Sequence, residues 1–241
     1  MKFTQSIFTD KGSRAVNEDC ADHIQVKDRH CFIVCDGLGG HGMGDVASRL
    51  AVKSFKECFV SSAGMEEFAA DSFIKVQSAL KAAQTEDRRL SHMRTTAVVL
   101  CTEGNRGTAL HIGDSRLYHF RNGKIISQTK DHSVPQMLAM AGEISEHEIR
   151  RHPDRNRLLR ALGDENEEVR FVRSDFEIKE GDAFLLCSDG FWEEVEEESM
   201  EKSLSRNKKA DKWLAEMVAL AKESVKDRNM DNYTALAVMV D

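Results

Sequence analysis

The feature that most restricts this chain is a series of short β-type runs that follow one another with only turns between them. FTQSIFT, ADHIQV and CFIVCD come first; TTAVVLC, GTALHIG, RLYHF and KIISQ come later, the last two separated by Arg121-Asn122-Gly123-Lys124, a hairpin turn signal. Strands that neighbour each other in sequence favour antiparallel pairing, because a parallel pair needs a long crossover. Two helices interrupt the strands. The first starts at about Asp45 and carries Ala47, Ala51, Phe55 and Cys58 at helical spacing; the second starts at about Met65 with Ala69, Phe73, Val76, Leu80 and Ala83 on one face. A third amphipathic segment, KKADKWLAEMVALAKESV, bears Trp213, Met217, Leu220 and Ala221, and YTALAVMV reads as a buried strand. This order is no βαβα alternation. It predicts an α+β fold, with two mostly antiparallel sheets face to face and helices covering the outer faces.

A chain of 241 residues with 41% hydrophobic content can bury a sizeable core. Its two prolines, Pro135 and Pro153, and the lack of a linker, repeat or low-complexity tract point to one domain over residues 1–241. From about Asp131 to Glu168 the chain turns polar and only patchily helical, an excursion from the core. The five arginines from Arg150 to Arg160 read as a solvated face, and so do the acids from Glu193 to Glu198, apart from a helix start among them. Met137 and Met140 read as local packing, and Trp213 as core. A formal charge of -7 argues against a nucleic-acid partner. Six scattered cysteines without zinc-ligand spacing suit a reducing compartment. With no signal-like or membrane-spanning stretch, a cytoplasmic monomer with no membrane partner is expected.

The loop Val34-Cys35-Asp36-Gly37-Leu38-Gly39-Gly40-His41-Gly42 contains G-x-G-x-x-G, the pattern of a dinucleotide fingerprint. That fingerprint needs a second strand ending in an acid about twenty residues on. Glu57 stands at the distance, but the helical periodicity from Ala47 to Cys58 runs straight through it. No Gly-Lys-Ser/Thr follows the glycines either, so a Walker loop is excluded. What remains is Asp36 at the end of an apolar strand. Asp114 ends GTALHIG, Asp189 ends DAFLLC, and Asp231 precedes the final strand. One such aspartate is an ordinary turn former. Four at one edge of a sandwich would repel each other and call for cations, and hard divalent ions take oxygen ligands from separated positions. Gly12-Ser13-Arg14-Ala15-Val16-Asn17-Glu18-Asp19 adds two acids and a guanidinium suited to a phosphate.

In order along nearly the whole chain, GSRAVNED, VCDGLGGHGMG, RTTAVVL, IGDSRLY, KDHSVPQML with AGEIS, RHPDRNRLLRALG, GDAFLLCSDGFW and MDNYTALAV resemble the motifs of the metal-dependent Ser/Thr protein phosphatases of the PPM type, the protein phosphatase 2C family, and in particular its bacterial branch. The resemblance implies a four-layer α-β-β-α sandwich and a flap beside the active site, here about residues 131–168. It implies two Mn²⁺ or Mg²⁺ ions, bridged by Asp36. The Gly37 carbonyl would bind one, Asp189 and Asp231 would complete the other, and Asp114 would hold a third, weaker ion. Glu18 and Asp19 would hold metal-bound waters, and Arg14 would grip the substrate phosphate. A hydroxide bridging the two ions would then attack phosphoserine or phosphothreonine on proteins directly, opposing a cytoplasmic Ser/Thr kinase. The alternative is a pseudophosphatase that binds phosphoproteins without turnover. Many relatives carry His after the Asp-Gly pair, sometimes proposed as the leaving-group acid, whereas this chain has Leu38; His41 is a candidate substitute. Arg94, where the family tends to have Gly, implies a local backbone difference.

Overall fold

The computed structural model describes residues 1–39, 43–164, 168–226 and 228–241; His41, the candidate substitute acid, lies outside the described residues. One sheet has five strands, β1 (Phe3–Asp10), β7 (Arg116–Arg121), β8 (Lys124–Gln128), β10 (Ala183–Cys187) and β11 (Tyr233–Val240), in the order β1-β11-β10-β7-β8. The other runs β2-β3-β5-β6-β9, from β2 (Asp19–Val26), β3 (Arg29–Leu38), β5 (Ala97–Glu103), β6 (Arg106–Ile112) and β9 (Val172–Glu177), with the two-residue β4 (Arg94–Thr95) pairing the end of β3. Each of these pairings is antiparallel. The helices are α1 (Gly44–Ser61), α2 (Met65–Glu86), α3 (Val134–Met140), α4 (Glu146–Ile149), α5 (Asp189–Trp192), α6 (Glu197–Arg206) and α7 (Ala210–Ser224).

Three hydrophobic cores define four layers, as expected. Cys31, Ile33 and Cys35 of β3 face Ala47, Phe55 and Phe73 of α1 and α2, while the alternate residues Phe32 and Val34 face Leu236 and Val238 of β11 between the sheets. On its other face β11 presents Ala235 and Ala237 to Trp213 and Met217 of α7. Strands buried on both faces must be apolar at every position, which is why CFIVC and ALAVMV lack alternation. Each large side chain enclosed this way contributes about 1.5–3 kcal/mol. A carboxylate fits such a strand only where it leaves the core, and that fixes the site at the strand ends.

The helical reading of KKADKWLAEMVALAKESV holds for Trp213, Met217 and Ala221, all buried, but Leu220 is exposed. Strand β9 was not foreseen: VRSDFE is an edge strand with little burial, so no apolar alternation marks it. Residues 131–164 carry α3 and α4; a short bridge from Ser133 to Leu158 closes the segment on itself, and one from Thr95 to Leu162 joins it to β4. Met137 and Met140 project from α3 into solvent, so the expected local packing is absent. No described helix is long and apolar enough to cross a membrane.

Candidate active site

Asp36 stands where β3 emerges from its two cores, and its backbone is held from one side. The Thr96 N–H and the Thr95 hydroxyl both donate to the Asp36 carbonyl at 2.8 Å, and the Asp36 N–H donates to Thr96 Oγ1 at 3.0 Å. Thr96 Oγ1 lies 2.7 Å from Ser115 Oγ, which ties this strand end to the turn bearing Asp114. Gly37 has no room for a side chain: a Cβ there would lie 2.0 Å from the Gly44 carbonyl oxygen at the start of α1. Close backbone contact between strand and helix, not a phosphate cradle, explains this glycine.

The predicted acids come together. Asp19 sits directly across from Asp36 in the β2–β3 pairing. Asp189 opens α5, and its carboxyl is within hydrogen-bonding reach of Asp36. Gly190 packs so tightly on the residues just before β11 that an added Cβ would lie 2.1 Å from the Asn232 carbonyl oxygen and 3.3 Å from Asp231 Cβ. That contact brings Asp189 and Asp231 side by side. Asp114 is buried, and its charge reaches Asp36. Burial pushes the Asp36 carboxyl well above the usual range, and Asp19, Asp189 and Asp114 add to it. Asp19 is pushed up to about 7, again chiefly by burial. Asp114 is raised by burial and by Asp189, and Asp189 by burial and by Asp231. Glu18 is raised mainly by burial, although its Oε1 accepts the Gly44 N–H at 3.1 Å. Carboxylates withdrawn from water beside one another are relieved by a cation.

The residues fit a hard divalent ion. Asp19 Oδ2 accepts from Ser188 Oγ at 2.7 Å, but Asp19 Oδ1 is buried with no hydrogen-bond partner among the described residues. Like charges directly opposite on paired strands, as in Asp19 and Asp36, are destabilising unless compensated. Every donor is a hard oxygen, the type that Mg²⁺ and Mn²⁺ take. Among the described residues no three His, Cys, Asp or Glu side chains converge with metal-holding spacing. Asp231 Oδ2 instead accepts from Arg14 Nη2 at 2.6 Å. Hydrated ions need only one or two carboxylates each, so the pairwise arrangement still suits them.

Against known proteins, the protein phosphatase 2C family pattern matches residues 11–233. The chain belongs to the protein phosphatase 2C family. It is 33% identical over 243 residues to the serine/threonine phosphatase stp of Listeria welshimeri, covering 95% of this chain and 93% of that protein. It is 35% identical over 194 residues to the serine/threonine protein phosphatase PstP of Mycobacterium tuberculosis; that match covers 79% of this chain but only 36% of PstP, so the chain spans about a third of that relative's length. The fold superposes on a crystal structure of the PstP catalytic domain in complex with 2 manganese ions, with a TM-score of 0.84, 29% identity and 99% of each chain covered.

Several residues of this 2C-family site lie inside the quoted motifs, but their roles are not readable from the sequence. Asn232 is buried and clamps the N-terminal loop: its Oδ1 accepts the Glu18 N–H at 2.8 Å, and its Nδ2 donates to the Lys11 and Val16 carbonyls at 2.9 and 3.0 Å. That clamp sets Arg14 opposite Asp231. Arg116 forms a bidentate pair with Asp131, Nε to Oδ1 at 2.9 Å and Nη2 to Oδ2 at 2.8 Å, and its guanidinium lies 3.5 Å from the centre of the Trp192 ring. Trp192 Nε1 in turn donates to the Asp114 carbonyl at 3.0 Å. Two solvated-face readings hold for Arg151, Arg157, Arg160, Glu196 and Glu198, but not throughout. Arg150 is buried and donates to Glu197 Oε2 at 2.7 Å; Arg155 pairs with Glu193 at 3.0 Å. Glu194 is also largely buried, and it accepts from Arg228 at 2.9 Å. The acidic run and the arginines are each other's partners across the chain, a pairing that charge counts along the sequence cannot reveal. Arg94, the other departure, pairs with Asp164 at 2.9 Å.

Proposed function

We propose that this chain is a single catalytic domain that hydrolyses phosphoserine and phosphothreonine on proteins, using Mn²⁺ or Mg²⁺, and so opposes a cytoplasmic Ser/Thr kinase. The observation that carries this reading is the crowding of Asp19, Asp36, Asp189 and Asp231 beside Arg14, in a chain of a family whose relatives are named Ser/Thr phosphatases. Asp36, the Gly37 carbonyl, Asp189 and Asp231 would hold two ions, as a relative's two manganese ions suggest, with Asp114 holding a third. Bound divalent ions lower the pKa of water and offset charge on the phosphoryl oxygens. Asp19, whose Oδ1 is buried without a partner among the described residues, would hold a metal-bound water. Glu18, fixed by the Gly44 N–H, shapes the same wall. Arg14 is more than half exposed and can fork onto two phosphate oxygens while one of its nitrogens stays on Asp231. No cysteine serves as nucleophile: Cys35 and Cys187, which adjoin the site, are fully buried, and burial pushes both thiols up.

Hydrolysis of a phosphothreonine peptide tests the reading. With Mn²⁺ the chain should turn over. EDTA should abolish activity, and Asp36→Asn should lower kcat/KM by ~10³-fold or more, since metal assistance is worth several kcal/mol. Activity within about tenfold of wild type in either condition overturns the metal-assisted mechanism. Binding of the peptide without any turnover would establish the pseudophosphatase instead.

A further inference from the structure

Beside Arg14, Asp189 and Asp231 opens a cavity of about 410 Å³ whose far wall comes from two other parts of the chain. Arg151 and Arg155 come from the segment after α4, and Arg228 from the turn between α7 and β11. Each guanidinium is paired with a carboxylate that also lines the cavity. Glu193 contacts Arg155 at 3.0 Å; Glu194 contacts Arg228 at 2.9 Å and Arg151 at 3.7 Å, and is fixed by the Ser224 hydroxyl at 2.6 Å. The formal charges of this wall nearly balance, but their exposure does not. The Glu193 and Glu194 side chains are 13% and 9% exposed, whereas those of Arg151, Arg155 and Arg228 are 53%, 41% and 50% exposed. An entering ligand therefore meets more guanidinium than carboxylate surface, with Glu193 and Glu194 holding the arginines in place. Arg155 spends only Nε on Glu193, leaving both terminal nitrogens without a partner among the described residues. Arg157 does not share this wall; it is exposed and faces Asp154.

We propose that this wall is a second anion subsite, which binds a carboxylate or a second phosphate carried by the substrate chain near the phosphoresidue being hydrolysed. The inference rests on the phosphatase reading and deepens it: preferred substrates are acidic or multiply phosphorylated segments. Three guanidiniums anchored by carboxylates are preorganised, so little side-chain entropy is lost when they close on an anion.

The test uses the full chain and phosphothreonine peptides that differ only at one flanking position, scanned in turn, bearing Ala, Asp, phosphoserine or Lys. Both kcat/KM with Mn²⁺ and binding in EDTA by fluorescence anisotropy are read. At the favoured position, phosphoserine and Asp should each exceed Ala by about tenfold or more, the scale of one charge-assisted hydrogen bond. Phosphoserine above Asp identifies a phosphate subsite; equality identifies a general anion subsite. The advantage should collapse in Arg228→Ala and in Arg151→Ala, and in Arg228→Lys it should shrink without vanishing, because lysine keeps the charge but loses the fork. Hydrolysis of all peptides alike, or a preference for Lys, overturns the subsite and leaves the phosphatase reading standing. Absence of hydrolysis with a retained binding preference overturns the phosphatase reading and leaves the subsite standing.

Discussion

Removing Asp131 should be among the most damaging single changes outside the acidic cluster. The Arg116 and Asp131 side chains are 5% and 2% exposed, so their pair lies out of water, unlike most of the ion pairs in this chain. In Asp131→Ala the guanidinium keeps Tyr118 Oη at 3.1 Å, Glu197 Oε1 at 3.6 Å and the Trp192 ring, but loses both charge-assisted bonds while still buried. Breaking a buried pair on one side costs about 3–5 kcal/mol, and in a domain of this size each kcal/mol lowers Tm by about 2–4 °C. The expected fall is therefore ~6–20 °C. Thermal unfolding followed by tryptophan fluorescence reads the fall in Tm, and urea unfolding the free energy, since one of the two tryptophans lies under Arg116. The double change Arg116→Met with Asp131→Leu should recover much of the loss, because an apolar pair leaves no stranded charge. A loss below about 1 kcal/mol for Asp131→Ala, the value of a surface bridge, would refute the argument that burial makes this pair matter.

Asn232→Ala leaves the Glu18 N–H and two carbonyls without their partner; about 2–4 kcal/mol should be lost, and phosphopeptide kcat/KM should fall further than stability explains, because Arg14 loses its anchor. Unchanged turnover in folded protein would show that the clamp does not position Arg14. Gly190→Ala should fail to pack against the Asn232 carbonyl, and a soluble variant with wild-type metal affinity by isothermal titration would contradict that contact. His119 donates to Asp182 Oδ2 at 2.9 Å, yet burial lowers its pKa, so it is a neutral donor and not half of an ion pair. A folded-state pKa below the unfolded value near 6.5 means that the unfolded chain binds more protons, so stability is full above that value and falls as pH drops below it. Burial pushes the Asp182 carboxyl up, but Arg121, the Lys179 N–H and His119 outweigh it, and the net lowering adds a second loss below about pH 4. His119→Gln keeps a donor without titrating, and should flatten the fall in urea midpoint between about pH 7 and 5; identical slopes would dismiss His119 as a contributor.

Much of this arrangement was legible because a strand buried on both faces must be apolar throughout, so an aspartate at its end stands out. Asp36 and Asp189 were visible for that reason, and the order of strands and helices fixed the layers. Edge strand β9 escaped notice because an exposed strand has no such constraint. Asn232, Ser188 and Trp192 escaped because their roles depend on partners 46 to 221 residues away in the chain. The arginines of the segment after α4 and the acids after Trp192 looked like two solvated runs; only the fold shows that they meet. The glycine pattern in VCDGLGG suggested a nucleotide, while the structure uses Gly37 to let β3 touch α1.

Strand β11 lies between β1 and β10, so β1 has no sheet partner until β11, more than 220 residues further along, has been synthesised. Asp231 and Asn232 immediately precede that strand, and Arg14 and Glu18 depend on them for position. On the ribosome, α1 and α2 can collapse onto their own sheet early, but the acidic cluster cannot assemble until β11 has left the exit tunnel. Topology alone thus withholds the acidic cluster until β11 has folded, and truncated chains lacking residues 231–241 should leave β1 open to protease.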